Sequence, residues 1–154
     1  MTASLSVGDR APQFALTDEG GRTVTLSDFS GKRVVLYFYP KDFTPGCTQE
    51  ACDFRDVIST GDFKADAVIG ISPDSPEKHA EFIKHYELPF TLLSDPDRSV
   101  MKAYGAYGEK QNYGKTVLGV IRSTFVISPD QTIEKVYLGI KAKGHAKRVA
   151  DALA

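Results

Sequence analysis

The stretch Val34-Val-Leu-Tyr-Phe-Tyr-Pro-Lys-Asp-Phe-Thr-Pro-Gly-Cys-Thr-Gln-Glu-Ala-Cys-Asp-Phe-Arg-Asp56 decides how this chain folds. Its first six residues are apolar and favour β structure, a pattern typical of a central strand buried on both faces. Thr44 and Pro45 then suit the cap and the first position of a helix. We therefore predict a strand within 32–39 and a helix over about 45–59, with the first cysteine in the first helical turn.

Cys47 would be the third residue of this helix. The unpaired backbone N–H groups there, and the positive end of the helix dipole, favour an ionised sulfur. Cys47 and Cys52 are the only cysteines of the chain. A cysteine is in general more often a small buried hydrophobic residue, but this position at a helix start indicates a nucleophilic thiolate.

Helical spacing separates the two thiols. Cys47 lies on one apolar face with Ala51 and Phe54, and this face is expected to turn toward the core. Cys52 is rotated from Cys47 by roughly 140° and shares the side of Asp56. The two Cα atoms would lie roughly 8–9 Å apart, whereas a disulfide needs less than about 7 Å. The pair therefore cannot bridge while the helix is intact.

The whole chain alternates predicted strands and helices, which predicts one α/β domain over 1–154 with a mixed sheet and helices on both faces. Its 154 residues can enclose one sizeable core. The other predicted elements are a hairpin over 14–26, strands over 67–72 and 90–93, helices from 76, over 100–104 and over 144–154, a Gly-rich polar loop over 107–117, and a hairpin over 124–137.

Composition excludes several classes of function. The net charge of −1 provides no overall field that would attract nucleic acid or anionic lipid, and no apolar run approaches the roughly 20 residues of a membrane helix. The first residues do not combine a basic region with an apolar stretch, so we expect a cytoplasmic protein. In a reducing cytoplasm, a close cysteine pair indicates redox cycling or metal binding more than a permanent crosslink.

Metal binding is not favoured by the spacing of the candidate ligands. Cys47, Cys52, His79, His85 and His145 lack the short paired spacings of a zinc site. We expect the three histidines to lie at the surface.

Arg122 differs from the other basic residues because it immediately precedes Ser123-Thr-Phe-Val-Ile127, a predicted buried strand. An arginine that enters a core strand needs an anionic partner. The thiolate of Cys47, or a polarised substrate oxygen beside it, would be such a partner. An ordinary salt bridge at the edge of the sheet is the alternative.

The spacing Pro40-x-x-x-Thr44-x-x-Cys47, with the distant Arg122, resembles the active-site signature of peroxiredoxins. The longer run from Tyr39 to Asp56 resembles the bacterioferritin comigratory protein, or peroxiredoxin Q, subfamily, except that Phe43 stands where that subfamily usually has Asn. The likeness extends over nearly the whole chain through Ala11-Pro-Gln-Phe14, Leu26-Ser-Asp-Phe-Ser-Gly-Lys32, Ile71-Ser-Pro-Asp74, Leu93-Ser-Asp95 and Arg122-Ser-Thr-Phe-Val126.

This resemblance implies a thioredoxin-like fold and a thiol peroxidase for hydrogen peroxide and organic hydroperoxides, without metal, flavin or haem. Cys47 would be the peroxidatic cysteine, which becomes a sulfenic acid. Thr44 would hydrogen-bond the peroxide, Arg122 would stabilise the thiolate and the leaving oxygen, and Pro40 would shield the sulfenic acid. Cys52 would resolve it as an intramolecular disulfide, which a dithiol such as thioredoxin then reduces. Such an enzyme could work as a monomer.

Two other classes remain open. A disulfide oxidoreductase or isomerase could share the fold, but such enzymes favour Cys-x-x-Cys, and here four residues separate Cys47 from Cys52. A redox sensor that signals to a partner protein would use the same chemistry at Cys47. Catalytic turnover with a reductant would distinguish an enzyme from such a sensor.

Overall fold

The computed structural model describes residues 5–112 and 114–153. The elements closely follow the predictions, and the helix after the first buried strand has the predicted bounds. In chain order they are β1 (Ala15–Asp18), β2 (Thr23–Thr25), a 3₁₀ helix (Leu26–Phe29), β3 (Val34–Phe38), α1 (Pro45–Ser59), β4 (Ala67–Ser72), α2 (Pro76–Tyr86), β5 (Thr91–Ser94), α3 (Ser99–Ala103), β6 (Tyr107–Asn112), β7 (Lys115–Val120), β8 (Ser123–Ile127), β9 (Ile133–Leu138) and α4 (His145–Leu153).

Seven strands form one mixed sheet in the order β2-β1-β5-β4-β3-β8-β9. β3 runs parallel to β4, and β4 runs parallel to β5, while the other neighbours are antiparallel. Every residue of β3 is buried, because the strand lies inside the sheet between β4 and β8. The predicted mixed sheet with an N-terminal β-hairpin is confirmed.

Alternate side chains of β3 serve the two faces of the sheet. Val35 and Tyr37 pack with buried residues of α1, α2 and α4, while Leu36 and Phe38 pack with α3 and the 3₁₀ helix. This alternation follows from the two-residue period of a strand. Burying each large apolar side chain contributes about 1.5–3 kcal/mol, so the strand that leads into α1 is among the firmly held parts of the sheet.

The prediction of a polar loop over 107–117 was wrong. The structure has a β-hairpin there, with β6 and β7 paired from Tyr107 opposite Val120 to Glu109 opposite Leu118 and beyond. Lys110 Nζ also donates to the carbonyl oxygen of Val120 at 2.9 Å. Most of the described side chains of this hairpin are at least partly exposed, so its sequence lacks the apolar alternation by which a half-buried strand is recognised.

No helix in the described ranges is long and apolar enough to cross a membrane.

Candidate active site

The loop of residues 40–44 connects the carboxyl end of β3 to α1. Thr44 has the extended backbone of an N-cap, with φ −79° and ψ 153°, and Pro45 is the first helical residue. The Thr44 hydroxyl donates to the carbonyl oxygen of Lys41 at 2.8 Å and makes no capping bond to α1. Cys47 is therefore in the first helical turn, as predicted. The side chain of the preceding Thr44 is hydrogen-bonded within the loop.

Cys47 and Arg122 are in direct contact. Arg122 Nη2 lies 3.3 Å from Cys47 Sγ, within hydrogen-bonding distance for sulfur, and Cys47 is only 1% exposed. The register of the sheet explains the contact. Ser123 at the start of β8 pairs with Phe38 at the end of β3, so the preceding arginine lies where the chain leaves β3 for α1. Arg122 therefore lies against the thiol of Cys47, and it also makes the salt bridge that was its alternative role, with Glu50.

Glu50 is a second partner of Arg122 that the sequence interpretation missed. Its Oε1 lies 2.5 Å from Arg122 Nη1, and the residue is completely buried. Burial raises the pKa of Glu50 to about 7, against the opposing charge of Arg122. The helical spacing offered a signal, because Glu50 follows Cys47 by three residues and so shares its face of α1. The face of α1 that is turned to the core therefore also carries a buried carboxyl group.

Arg122 therefore faces two groups that can each carry a negative charge. Burial lowers the pKa of Arg122, but Glu50 and then Cys47 more than reverse this effect, so that its pKa is raised. The guanidinium also lies against the helix backbone, since a Cβ at Gly46 would be 3.2 Å from Arg122 Nη2. One fixed cation is held between a thiol, a carboxyl group and the start of α1.

Cys52 is in a different environment from Cys47. It is half-buried, and both thiols are free. Burial raises the pKa of the Cys52 thiol, Arg55 opposes this, and the carboxylates of Asp56 and Asp53 add to it. The predicted division of the two cysteines between different sides of α1 agrees with this difference in exposure.

Phe43, the departure from the subfamily pattern, lies in the left-handed backbone region with φ 65°. Asn tolerates this region far better than an aromatic residue does. The backbone conformation therefore explains why the subfamily usually has Asn at this position. The Phe43 side chain is 42% exposed and packs edge-on against Phe82 of α2, with ring centroids 5.0 Å apart. It also contacts the rings of His85 and Tyr86. These contacts fix the loop on α2.

The expectation of surface histidines was right for His85, which is exposed, and wrong for His79 and His145, which are completely buried. His145 Nε2 lies 2.7 Å from Thr124 Oγ1. Burial lowers the pKa of His145 to about 4, with Arg148 and Arg122 adding to the effect. His79 lies between the active-site loop and the sheet, with polar partners on both ring nitrogens. Partners from distant elements make both burials possible, and sequence spacing does not show them.

A sizeable cavity lies away from the thiol of Cys47. It has a volume of about 690 Å³, and its lining includes Asp53 and Asp56 of α1 and Lys147 and Asp151 of α4. Its lining omits both Cys47 and Arg122, so the chemistry of the site is indicated by contacts and not by cavity size. Within 5–112 and 114–153, no group of three or more His, Cys, Asp or Glu side chains is arranged to hold a metal ion.

Residues 7–136 match the model of the AhpC/TSA family. This chain belongs to that family. A relative from Mycobacterium tuberculosis (strain H37Rv) is 55% identical over 150 residues, which cover 96% of this chain and 94% of the relative. Peroxiredoxin Bcp of Bacillus subtilis (strain 168) is 45% identical over 150 residues, with 97% of this chain and 94% of that protein covered.

Two solved structures that are similar to this chain are also of bacterioferritin comigratory protein or peroxiredoxin Q. The bacterioferritin comigratory protein of Xanthomonas campestris, described for its alkyl peroxide reduction activity, is 40% identical, with a TM-score of 0.83 over 91% of this chain and 89% of that one. Peroxiredoxin Q of Xylella fastidiosa is 34% identical, with a TM-score of 0.88 over 98% and 96%. The chain is thus a peroxiredoxin of the Bcp, or peroxiredoxin Q, type, and the expected thioredoxin-like fold is confirmed.

Proposed function

We propose that this peroxiredoxin is a thiol peroxidase that reduces hydrogen peroxide and organic hydroperoxides through Cys47. The observation that carries the proposal is the 3.3 Å contact between Arg122 Nη2 and Cys47 Sγ. A guanidinium beside a sulfur at a helix start favours the thiolate, which is the nucleophilic form. The alkyl peroxide reduction described for the Xanthomonas relative supports organic hydroperoxides as substrates.

In the first step, the Cys47 thiolate attacks the terminal oxygen of the peroxide. An S–O bond forms and the O–O bond breaks, so that sulfur is oxidised to a sulfenic acid while the peroxide is reduced. The leaving oxygen takes up a proton and departs as an alcohol or water. Arg122 stabilises the negative charge on the thiolate and on the leaving oxygen. Thr44 binds the peroxide oxygen, and Pro40 shields the sulfenic acid from further oxidation.

In the second step, Cys52 attacks the sulfenic sulfur, a disulfide forms, and the hydroxyl leaves as water. The helix must unwind first, because an intact α1 keeps the two Cα atoms roughly 8–9 Å apart. Thioredoxin or a similar dithiol then reduces the disulfide by exchange. Both cysteines belong to one domain over 1–154, so the cycle needs no second subunit. We propose a monomer that acts in the cytoplasm.

The test is peroxide turnover with thioredoxin in the wild type, Cys47→Ser and Cys52→Ser. We expect no turnover for Cys47→Ser, because a hydroxyl is far less ionised than a thiol. Cys52→Ser should still consume about one equivalent of peroxide per chain but lose most turnover. Substantial turnover by Cys47→Ser would exclude Cys47 as the nucleophile, and a Cys47–Cys47 intermolecular product would exclude intramolecular resolution.

The same assay decides between an enzyme and a redox sensor. A sensor would be oxidised at Cys47 but would turn over negligibly with any dithiol. A disulfide isomerase would reshuffle disulfides in a scrambled substrate protein, whereas we expect this chain to act on peroxides.

A further inference from the structure

The active-site loop contains a buried carboxylate that the proposed reaction does not use. Asp42 is 2% exposed. Its Oδ1 accepts a hydrogen bond from the Tyr39 hydroxyl at 2.5 Å, and its Oδ2 lies 2.6 Å from His79 Nδ1. The backbone N–H of Asp42 donates to Asp74 Oδ2 at 2.7 Å. The loop is therefore fastened through this one residue to the end of β3, to α2 and to the segment before α2.

His79 has polar partners on both ring nitrogens. Nε2 lies 3.2 Å from the carbonyl oxygen of Leu93 and 3.3 Å from Ser72 Oγ. A carbonyl oxygen only accepts, so Nε2–H is the donor in the contact with Leu93. Nδ1 lies 2.6 Å from Asp42 Oδ2 and 3.4 Å from the Tyr39 hydroxyl. The ring thus bridges the sheet and the active-site loop through contacts that are all buried.

The position of this bridge is significant because Thr44 and Pro40 belong to the same loop. The Thr44 hydroxyl bonds within the loop, to Lys41, so it does not tie the loop to the rest of the molecule. The Asp42–His79 contact ties the loop to α2, as does the packing of Phe43, while the other bonds of Asp42 reach Tyr39 and Asp74. The helix that has to unwind for resolution begins immediately after this loop.

We propose that the Asp42–His79 contact is a positioning contact that holds the loop in the conformation that reacts with peroxide. Weakening it should shift the population toward the unwound conformation in which Cys47 reaches Cys52. This inference rests on the proposed function, and it predicts opposite effects on two steps. Oxidation of Cys47 should slow, and disulfide formation should quicken, because the two steps need different conformations.

Two substitutions at His79 form a matched pair. Asn carries its amide nitrogen near the position of Nδ1 and keeps a donor for Asp42, whereas Gln carries it near the position of Nε2 and keeps a donor for Leu93. Both remove the ring. Stopped-flow measurements would give the rate constant for Cys47 oxidation and the rate of disulfide formation. We expect His79→Gln to change them by at least about threefold in opposite directions, and His79→Asn to stay closer to the wild type.

Asp42→Ala is the second variant, in case His79→Gln does not fold. It removes the carboxylate that faces Nδ1, so it should reproduce the effect of His79→Gln. Tyr39→Phe, which loses only the hydrogen bond from the Tyr39 hydroxyl to Asp42, is its control. Equal rates in His79→Gln and His79→Asn, or a slowing of both steps together, would overturn the positioning role. If the wild type formed no Cys47–Cys52 disulfide, the proposed resolution step would fail, while the oxidation rates of these variants would still decide the role of the contact.

Discussion

One guanidinium faces two acidic groups in this active site, and the balance between them is set at the level of single residues. Arg122 lies 3.3 Å from Cys47 Sγ and 2.5 Å from Glu50 Oε1. Burial raises the pKa of Glu50 to about 7, so a fraction of the molecules carry a protonated Glu50 near neutral pH. In those molecules the positive charge of Arg122 stabilises the thiolate alone.

Glu50→Gln should increase the reactivity of Cys47. Gln keeps an acceptor for Arg122 but removes the competing negative charge, so Arg122 should stabilise the thiolate more strongly. The rate of Cys47 alkylation by iodoacetamide at neutral pH, in a Cys52→Ser background, would measure this. Asp56→Asn is the matched control, since it removes a carboxylate from an exposed position of the same helix. An unchanged alkylation rate in Glu50→Gln would contradict the competition between Glu50 and Cys47 for Arg122.

Gly46→Ala should slow the oxidation of Cys47 by displacing Arg122. The added Cβ would be 3.2 Å from Nη2, so the guanidinium, which contacts Cys47 Sγ, has to shift by a few tenths of an ångström. We expect a loss in rate smaller than the roughly 10²–10³-fold effect of removing a donor outright. The rate constants of Gly46→Ala, Arg122→Ala and the double variant form a cycle. If Gly46→Ala slowed the Arg122→Ala enzyme as much as the wild type, its effect would not pass through Arg122.

At the scale of elements, the first turn of α1 combines weak local support with a buried inner face. Pro45 has no N–H to lose, and Gly46 is a weak helix former. The side chain of Thr44 makes no capping bond. The inner residues Cys47 and Ala51 are nevertheless buried, which keeps the helix folded in the reduced protein. Such a segment is suited to local opening without global unfolding.

Oxidation should therefore unwind the first turns of α1. We expect faster amide exchange over about 47–56 in the disulfide form than in the reduced form, with α2 equally protected in both. The reason is that helical geometry keeps the Cα atoms roughly 8–9 Å apart, beyond the limit of about 7 Å for a disulfide. Cys52→Ser treated with one equivalent of peroxide is the control, since it cannot form the disulfide and should stay protected. Equal protection of the wild type in both states would mean that the two cysteines do not pair.

The elements that the sequence predicted well are those with local signals. The helix Pro45–Ser59 was predicted from its cap and spacing, and the strand Ala67–Ser72 from a run of apolar residues. The hairpin of β6 and β7 was missed because its stability comes from cross-strand pairing and not from an apolar face. The roles of Glu50 and His79 were missed for a related reason. Each is defined by a partner far away in sequence, and no spacing rule identifies that partner.

At the scale of the whole molecule, the sheet brings together residues that are distant in the chain. The pairing of β3 with β8 brings Arg122 to the thiol, and the start of α4 adds the buried His145 beside Thr124 of β8. Two titratable groups, Glu50 and His145, are completely buried in this arrangement. Their pKa values are displaced in opposite directions, upward for Glu50 and downward for His145, so the two groups should affect the pH dependence of stability in opposite ways.

For His145, the pKa falls from 6.5 to about 4 on folding. The unfolded chain therefore binds a proton first as the pH drops, and stability from this group is present above pH 6.5 and lost as the pH falls toward about 4. For Glu50, the pKa rises from 4.5 to about 7. Its contribution is fully present below pH 4.5 and is lost as the pH rises through about 7.

Thermal melts of the wild type, His145→Gln and Glu50→Gln across this pH range should separate the two contributions. Gln at 145 can keep a hydrogen bond to Thr124 but does not titrate, so the stability of His145→Gln relative to the wild type should improve as the pH falls from 6.5 toward about 4. The stability of Glu50→Gln relative to the wild type should increase as the pH rises from 4.5 toward about 7. The comparison uses differences at each pH, so any constant cost of the substitution cancels. Parallel melting curves for a variant and the wild type would show that the corresponding group keeps its ordinary pKa in the folded protein.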